Sequence, residues 1–217
     1  MNKKENIKKT IGIAKALEQL YPNPVCALIY KKPHELLIAA RLSAQCTDKR
    51  VNMITPELFE RFPEIKDFAE AEINEVEKYI RSCGLYKTKA FDIVEMCKLL
   101  FVNFDCVIPD GIEELLKLPG VGRKTANLII GTLYGKPAVV TDTHVIRISN
   151  RLGLVSTQNP VKVENVLREL LPEKTSLDFC HRLVFFGREV CKARKPECGG
   201  CVLKEFCIFI ANYGPLT

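Results

Sequence analysis

Apolar residues recur along this chain at three- and four-residue intervals, and polar or Gly/Pro-containing breaks separate the stretches. Ile7, Ile11, Ala14, Leu17 and Leu20 form one helical face, which Tyr21-Pro22-Asn23-Pro24 stops. Pro33 opens a second helix through Leu36, Leu37, Ala40 and Ala44, and the end of that helix turns polar over residues 42–48. Thr47 or Asp48 then caps a helix with Val51, Ile54 and Leu58 on its buried side. Ile73, Val76 and Ile80 define another, with Gly84 as its C-terminal stop. Leu85-Tyr86-Lys87-Thr88-Lys89 reads as a short loop with an apolar tip and basic flanks. Ile93, Cys97, Leu100 and Phe104 mark the next helix, which Val107-Ile108-Pro109-Asp110-Gly111 breaks. Two short helical patterns, 112–118 and 124–134, flank the turn Pro119-Gly120-Val121-Gly122. Residues 137–140 are a short apolar run, a candidate extended segment, ahead of Thr141-Asp142-Thr143-His144. Val145, Ile148 and Leu152 share a face. Asn159-Pro160 opens a helix through Val163, Val166, Leu167 and Leu170, and Thr175 or Ser176 caps a last long one reaching Val190. No alternating strand pattern, fixed-period repeat or low-complexity linker interrupts the series. The expectation is an all-α protein of roughly ten helices with short connections.

Composition changes this picture little. A chain of 217 residues with 47% hydrophobic and 27% charged content can bury a core as one domain or two modest ones. Lys and Arg exceed Asp and Glu by 32 to 26, which permits a polyanionic partner without requiring one. The first nine residues, Met1-Asn2-Lys3-Lys4-Glu5-Asn6-Ile7-Lys8-Lys9, lack the apolar core and cleavage site of a secretory signal. No apolar run is long enough to span a bilayer, so a soluble, cytoplasmic protein without a membrane partner is expected.

Two stretches carry chemistry. In the first, the glycines of Leu118-Pro119-Gly120-Val121-Gly122-Arg123-Lys124-Thr125-Ala126 allow positive φ and close approach. Amides at the start of the second helix then point outward, where a phosphate can sit. The alternative is a plain corner in a helical core. In the second, four of the ten cysteines fall together: Cys191, Cys198, Cys201 and Cys207, spaced C-x6-C-x2-C-x5-C in a Lys-, Arg-, Pro- and Gly-rich segment. Such a segment builds no core of its own, and four thiolates on a metal are the natural way to order it. Zinc sites usually pair their cysteines in two close knuckles, and only Cys198 and Cys201 are that close, which tilts the choice slightly toward an iron–sulfur cluster. Lys192, Arg194 and Lys195 lie between the first two cysteines, placed to grip phosphates once the loop is tied down.

The hairpin, the later Asp142-Thr143-His144 and the cysteine set together resemble the endonuclease III family, helix-hairpin-helix DNA glycosylases and abasic-site lyases of base-excision repair with a [4Fe–4S] cluster. Ser43-Ala44-Gln45 and Gly84-Leu85-Tyr86 also stand in the family's order, so the similarity runs over nearly the whole chain. The resemblance implies a two-lobed fold with the DNA cleft between the lobes. One lobe is a six-helix bundle over 26–137, and the other is a discontinuous cluster domain of 1–25 and 138–217. It implies Lys124 as the nucleophile and Asp142 as its carboxylate partner, with Gln45 and Leu85 filling the hole left by an extruded base. Gly120 and Gly122 would hold the strand's backbone. The implied partner is double-stranded DNA with oxidised pyrimidines or abasic sites, bound by a monomer at the nucleoid.

Elementary chemistry agrees with those roles. A lysine in the first turn of a helix meets the positive end of the helix dipole, and partial burial in a cleft would act in the same direction, favouring the free amine. Asp142 can cap its own helix, and a carboxylate held ionised by amides suits charge stabilisation better than proton donation. Cys46 and Cys83 depart from the small or apolar residues expected beside Gln45 and Leu85, which bears on lesion preference. His144 and Arg147 can face DNA or support Asp142. Two other readings compete. One is a monofunctional relative that removes adenine or thymine from mismatches. Such relatives generally lack the hairpin lysine, and the adenine-specific ones usually carry a further C-terminal domain, whereas this chain runs ten residues past Cys207. The other is a non-catalytic DNA-binding module, which has no need for Lys124 with Asp142.

Overall fold

A computed structural model describes residues 3–213; Met1 and Asn2 of the basic N-terminal stretch lie outside the described residues. Residues 3–213 form helices joined by turns and irregular segments, with no strand among the described residues, and residues 137–140 are irregular. No described helix is long and apolar enough to cross a membrane. Contacts divide the chain into two compact units: Cys26–Gly135, and the described residues of Met1–Val25 with Lys136–Thr217.

The continuous unit holds α2 (Pro33–Leu42), α3 (Asp48–Arg61), α4 (Ile65–Ala69), α5 (Ile73–Ile80), α6 (Tyr86–Asn103), α7 (Ile112–Leu115) and α8 (Arg123–Tyr134). Its centre is α2, buried from His34 to Ala40 and again at Leu42, and packed on α3, α6 and α8. Pro33 starts α2 as the sequence suggests. The Glu35 carboxylate accepts the Lys31 and Lys32 amides at 2.6 and 3.2 Å, satisfying donors ahead of the first turn. The helix stops at Leu42, so Ala44 is on an exposed turn and not on the buried face. Thr47 is the cap of α3, accepting from the Arg50 amide at 3.2 Å.

The short α4 escapes a periodicity reading because it is barely one turn. Its marker is Asp67, which accepts the Glu64 amide at 2.8 Å. It packs on α6 and brings Phe68 against Phe62, with ring centroids 4.9 Å apart. Gly84 does not close α5 with a left-handed turn. The positive φ falls on Leu85, at 58°, and α6 begins at once with Tyr86. Residues 85–89 are therefore a helix start and not a loop, and Lys89 is fully buried instead of flanking it.

The discontinuous unit joins α1 (Lys3–Leu20) to α9 (Thr143–Arg151), α10 (Pro160–Leu170), α11 (Ser176–Glu189) and α12 (Ile208–Tyr213), with single 3-10 turns at Glu173–Thr175 and Lys204–Phe206. α1 packs on α10 and α11, and α9 on α11. The buried face of α1 is Thr10, Ile13 and Leu17, while Ile11 and Leu20 are exposed. Two stripes share Leu17. The choice between them is tertiary, because a Cβ at Gly12 would meet the Phe206 ring at 2.8 Å. Thr10 is tolerated inside because its hydroxyl donates to the Asn6 carbonyl at 2.8 Å. In α10 the buried set is Val163, Glu164, Leu167 and Leu170, with Val166 outside; Arg168 donates to Glu164 at 3.0 Å. Asn159 caps α10 through the Val161 and Lys162 amides. Neither Thr175 nor Ser176 caps α11: both hydroxyls donate backwards, to the carbonyls of Pro172 and Glu173.

Candidate nucleic-acid interface and metal centre

The hairpin is built on packing. Leu115, Leu118 and Val121 are buried, and the chain reverses through Val121 N–H to Leu118 O at 3.1 Å. Gly120 takes φ +73°, and a Cβ there would lie 2.4 Å from Arg41 Nε and 2.9 Å from Asp92 Oδ2. Arg41 donates to that same Asp92 oxygen from Nε at 2.8 Å and from a terminal nitrogen at 2.5 Å, with both side chains mostly buried. Backbone and ion pair thus both require glycine at 120. Gly122 is different. It is the exposed N-cap of α8 with ordinary extended φ, and a Cβ on it would meet nothing within 4 Å. The N-cap glycine has no side chain with which to cap the first amides of α8, at the positive end of a twelve-residue helix.

Lys124 lies in that first turn and is exposed, so the partial burial expected of it is not found within this unit. Its charge reaches Cys26, whose thiol burial pushes up while Lys124 acts in the opposite direction.

Gln45 and Leu85 are exposed, and both hold left-handed backbone, φ 53° and 58°. The fold brings their turns together: a Cβ at Gly84 would sit 3.8 Å from the Gln45 carbonyl oxygen. Nothing in the local sequence signals this strain, since neither residue is one that favours the left-handed region. Lys89, one helical turn past Leu85, donates to the Leu42 carbonyl at 2.8 Å and so ties the start of α6 to the end of α2.

Asp142 belongs to the other unit. It is the N-cap of α9 and accepts the Val145 amide at 2.8 Å. His144 and His181 both feel its charge; burial lowers both imidazoles and the Asp142 carboxylate opposes that. Cys180, fully enclosed nearby, is pushed up to about 12 by burial. Arg147 bonds His144 Nδ1 at 3.1 Å and donates to the carbonyls of Gly187 and Cys191 at 3.1 and 2.9 Å. Both residues therefore brace α9 against the end of α11. Gly187 is the position that sequence reading misses: a Cβ there would lie 2.4 Å from His144 Nδ1.

Cys191, Cys198, Cys201 and Cys207 line one cavity. Burial pushes the Cys201 thiol up, and the other three cysteines add to the rise. Four thiolates this close repel one another, so they need a cationic centre to stay ionised. Yet among the described residues no group of three or more His, Cys, Asp or Glu is placed to hold a single metal ion. The cysteine spacing, with only Cys198 and Cys201 as a close pair, is the feature that favours a polynuclear cluster over zinc. Arg151 organises the rim, donating to Cys191 Sγ at 3.2 Å and to the Lys192 and Ala193 carbonyls at 2.8 and 3.0 Å. Its guanidinium lies 4.8 Å from the Phe209 ring centroid. Of the three loop cations, Lys192 pairs with Glu197 at 2.7 Å, while Arg194 and Lys195 are exposed.

Comparison with known proteins agrees with this chemistry. Residues 38–173 match the HhH-GPD superfamily of base excision DNA repair proteins, and residues 191–207 match the iron-sulfur binding domain of endonuclease III. The chain is 45% identical to endonuclease III of Synechocystis sp., over 88% of each chain. It is 43% identical to endonuclease III of Rickettsia conorii, over 88% of this chain and 91% of the relative. A trapped endonuclease III–DNA covalent intermediate, an estranged-adenine complex, superposes with a TM-score of 0.90 at 38% identity, covering 96% of this chain and 97% of the other. The cofactor of residues 191–207 is a [4Fe–4S] cluster.

Proposed function

Since the chain belongs to the endonuclease III family of DNA glycosylases and abasic-site lyases, we propose that Lys124 is its nucleophile and Asp142 the carboxylate that supports it. The observation that carries this is the position of Lys124: exposed, two residues past a glycine with open space above it, in the first turn of a helix whose N-cap carries no side chain. A phosphate held at those amides puts the adjoining sugar within reach of the amine. The neutral amine attacks C1′ and displaces the base, and the opened sugar carries a Schiff base. Loss of the C2′ proton then expels the 3′ phosphate by β-elimination. Asp142, held by the Val145 amide, stabilises positive charge on the sugar as the base departs.

Gln45 and Leu85 fill the gap left by the extruded nucleotide, as an amide and an apolar side chain on neighbouring turns. Gly120 shapes the hairpin, Gly122 lets the strand approach, and Arg194 and Lys195 with Lys192 hold flanking phosphates. Cys191, Cys198, Cys201 and Cys207 hold the cluster. Its four iron–thiolate bonds supply order to a segment with little core of its own. We assign residues 26–137 to the hairpin domain and 1–25 with 138–217 to the cluster domain. The substrate is duplex DNA with oxidised pyrimidines or abasic sites, and the enzyme works as a monomer in the cytoplasm, at the nucleoid.

Borohydride reduction of the enzyme on abasic duplex DNA tests this reading. Wild type forms a covalent adduct, while Lys124→Gln forms none and still binds the duplex. A wild-type protein that gives no adduct removes the proposal, and a panel of oxidised pyrimidines and mismatches in the same assay fixes the substrate class.

A further inference from the structure

Two thiols lie between the turns that carry Gln45 and Leu85. Cys46 directly follows Gln45, and Cys83 stands two residues before Leu85. The two thiols interact electrostatically. The backbones close up at the same place, with the Gly84 Cβ position 3.8 Å from the Gln45 carbonyl oxygen. Cys83 is fully buried and Cys46 half-buried, so Cys46 is the thiol that solvent reaches. Two cations face the pair. Lys89, itself enclosed and anchored on the Leu42 carbonyl, interacts with both thiols, and Arg50 interacts with Cys83. Nearby cations favour thiolate, the reactive form of cysteine. Burial and the neighbouring Cys46 thiol push the Cys83 thiol up to about 11, which fits it for a second, internal step better than for the first attack.

We propose that Cys46 and Cys83 form a dithiol modification site, which a low-molecular-weight disulfide oxidises to an internal disulfide that locks the Gln45 turn onto the start of α6. The Cys46 thiolate attacks the small disulfide, forming a mixed disulfide and releasing one small thiol. Cys83 then attacks the Cys46 sulfur, forming the internal bond and releasing the second small thiol. Two protein thiols are oxidised and one small disulfide is reduced to two thiols, with no net proton change. A disulfide holds its sulfurs about 2.05 Å apart, closer than two thiols in contact, so forming it pulls on the turns that carry Gln45 and Leu85. The effect of that shift on catalysis rests on the roles proposed above for Gln45 and Leu85. The bond itself does not.

Treating the intact iron–sulfur protein with oxidised glutathione, then alkylating, digesting and weighing the peptides, tests both parts. The expected product is a peptide pair joined through Cys46 and Cys83 and released by dithiothreitol. Cleavage of duplex abasic DNA should fall by roughly tenfold or more, because small misplacements of positioning groups are that costly. It should recover on reduction, with the visible absorbance of the cluster unchanged throughout. Cys46→Ser, which leaves the core untouched, should keep its activity through the same treatment, whereas in Cys83→Ala alone, which lacks the resolving thiol, a glutathione adduct should persist on Cys46. In the wild type, both cysteines still alkylated after treatment, or a lasting glutathione adduct on Cys46, overturns the site. A disulfide that forms while cleavage stays constant overturns the lock. Untreated enzyme that gives no borohydride adduct counts against the proposed nucleophile instead, and the peptide linkage still decides the dithiol.

Discussion

The hairpin turn at 118–123 and the cluster segment at 191–207 are both irregular, both carry cations, and are held in shape by opposite means. In the hairpin, Leu118 and Val121 are buried and Gly120 packs on the Arg41–Asp92 pair, so side chains of two other elements, α2 and α6, dictate the turn. In the cluster segment, few side chains are buried: Pro196, Cys198 and Leu203. The rest depends on Arg151, on local backbone hydrogen bonds and on four cysteines that line one cavity. Order that comes from packing persists without a ligand. Order that comes from ligation is removed with it.

Removing the cluster is the strongest test of that contrast. With Cys198→Ser, or after chelation, protease sites should open at 191–207 while amide protection in α2 and α8 stays unchanged by hydrogen exchange. Equal loss of protection in α8 would mean that the two regions are not independently ordered.

The two hairpin glycines give the next largest effect. Gly120→Ala meets both a left-handed backbone and the Arg41 side chain and should cost at least about 2 kcal/mol in denaturant unfolding. Gly122→Ala, with open space and extended backbone, should change stability by less than about 1 kcal/mol and instead weaken binding to abasic duplex. Similar unfolding curves for the two variants would erase the distinction between a glycine that the fold needs and one that the ligand needs.

At Asp142 the two demands coincide. Asp142→Ala should lose about 1 kcal/mol with the helix cap, and Asp142→Asn should keep most of it, while both lose glycosylase activity. An Asn variant with full activity would leave the residue only its structural task. The smallest effect is expected in the cluster loop's own charges. Lys192→Ala breaks an exposed ion pair with Glu197 and should move stability by less than about 1 kcal/mol. Arg194→Ala should lower the salt dependence of DNA binding by about one unit of slope, read from affinities at several salt concentrations.

Much of this was legible in the sequence because local rules sufficed. Pro33, Thr47, Asp142 and Asn159 start helices where their chemistry says they should. The glycine hairpin and the cysteine spacing announce themselves without a fold. What stayed hidden depends on partners distant in sequence. The buried stripe of α1 is chosen by Phe206 against Gly12, some two hundred residues away. Lys89 reads as a solvated charge until the Leu42 carbonyl is placed above it. Glu164 takes an interior position that periodicity gives to Val166. The left-handed backbone at Gln45 and Leu85 is imposed from outside, and Gly187 is needed only because His144 and Arg147 press on it.

One feature of the discontinuous unit bears on how the protein is made. α1 leaves the ribosome well over a hundred residues before α10 and α11, the helices it packs against. At about 5–20 residues per second, α1 waits on the order of ten to thirty seconds with Ile13 and Leu17 uncovered. In that interval the whole of Cys26–Gly135 emerges and can fold. The four cysteines emerge after all of Cys26–Gly135, so iron–sulfur loading comes to a chain whose hairpin can already be in place.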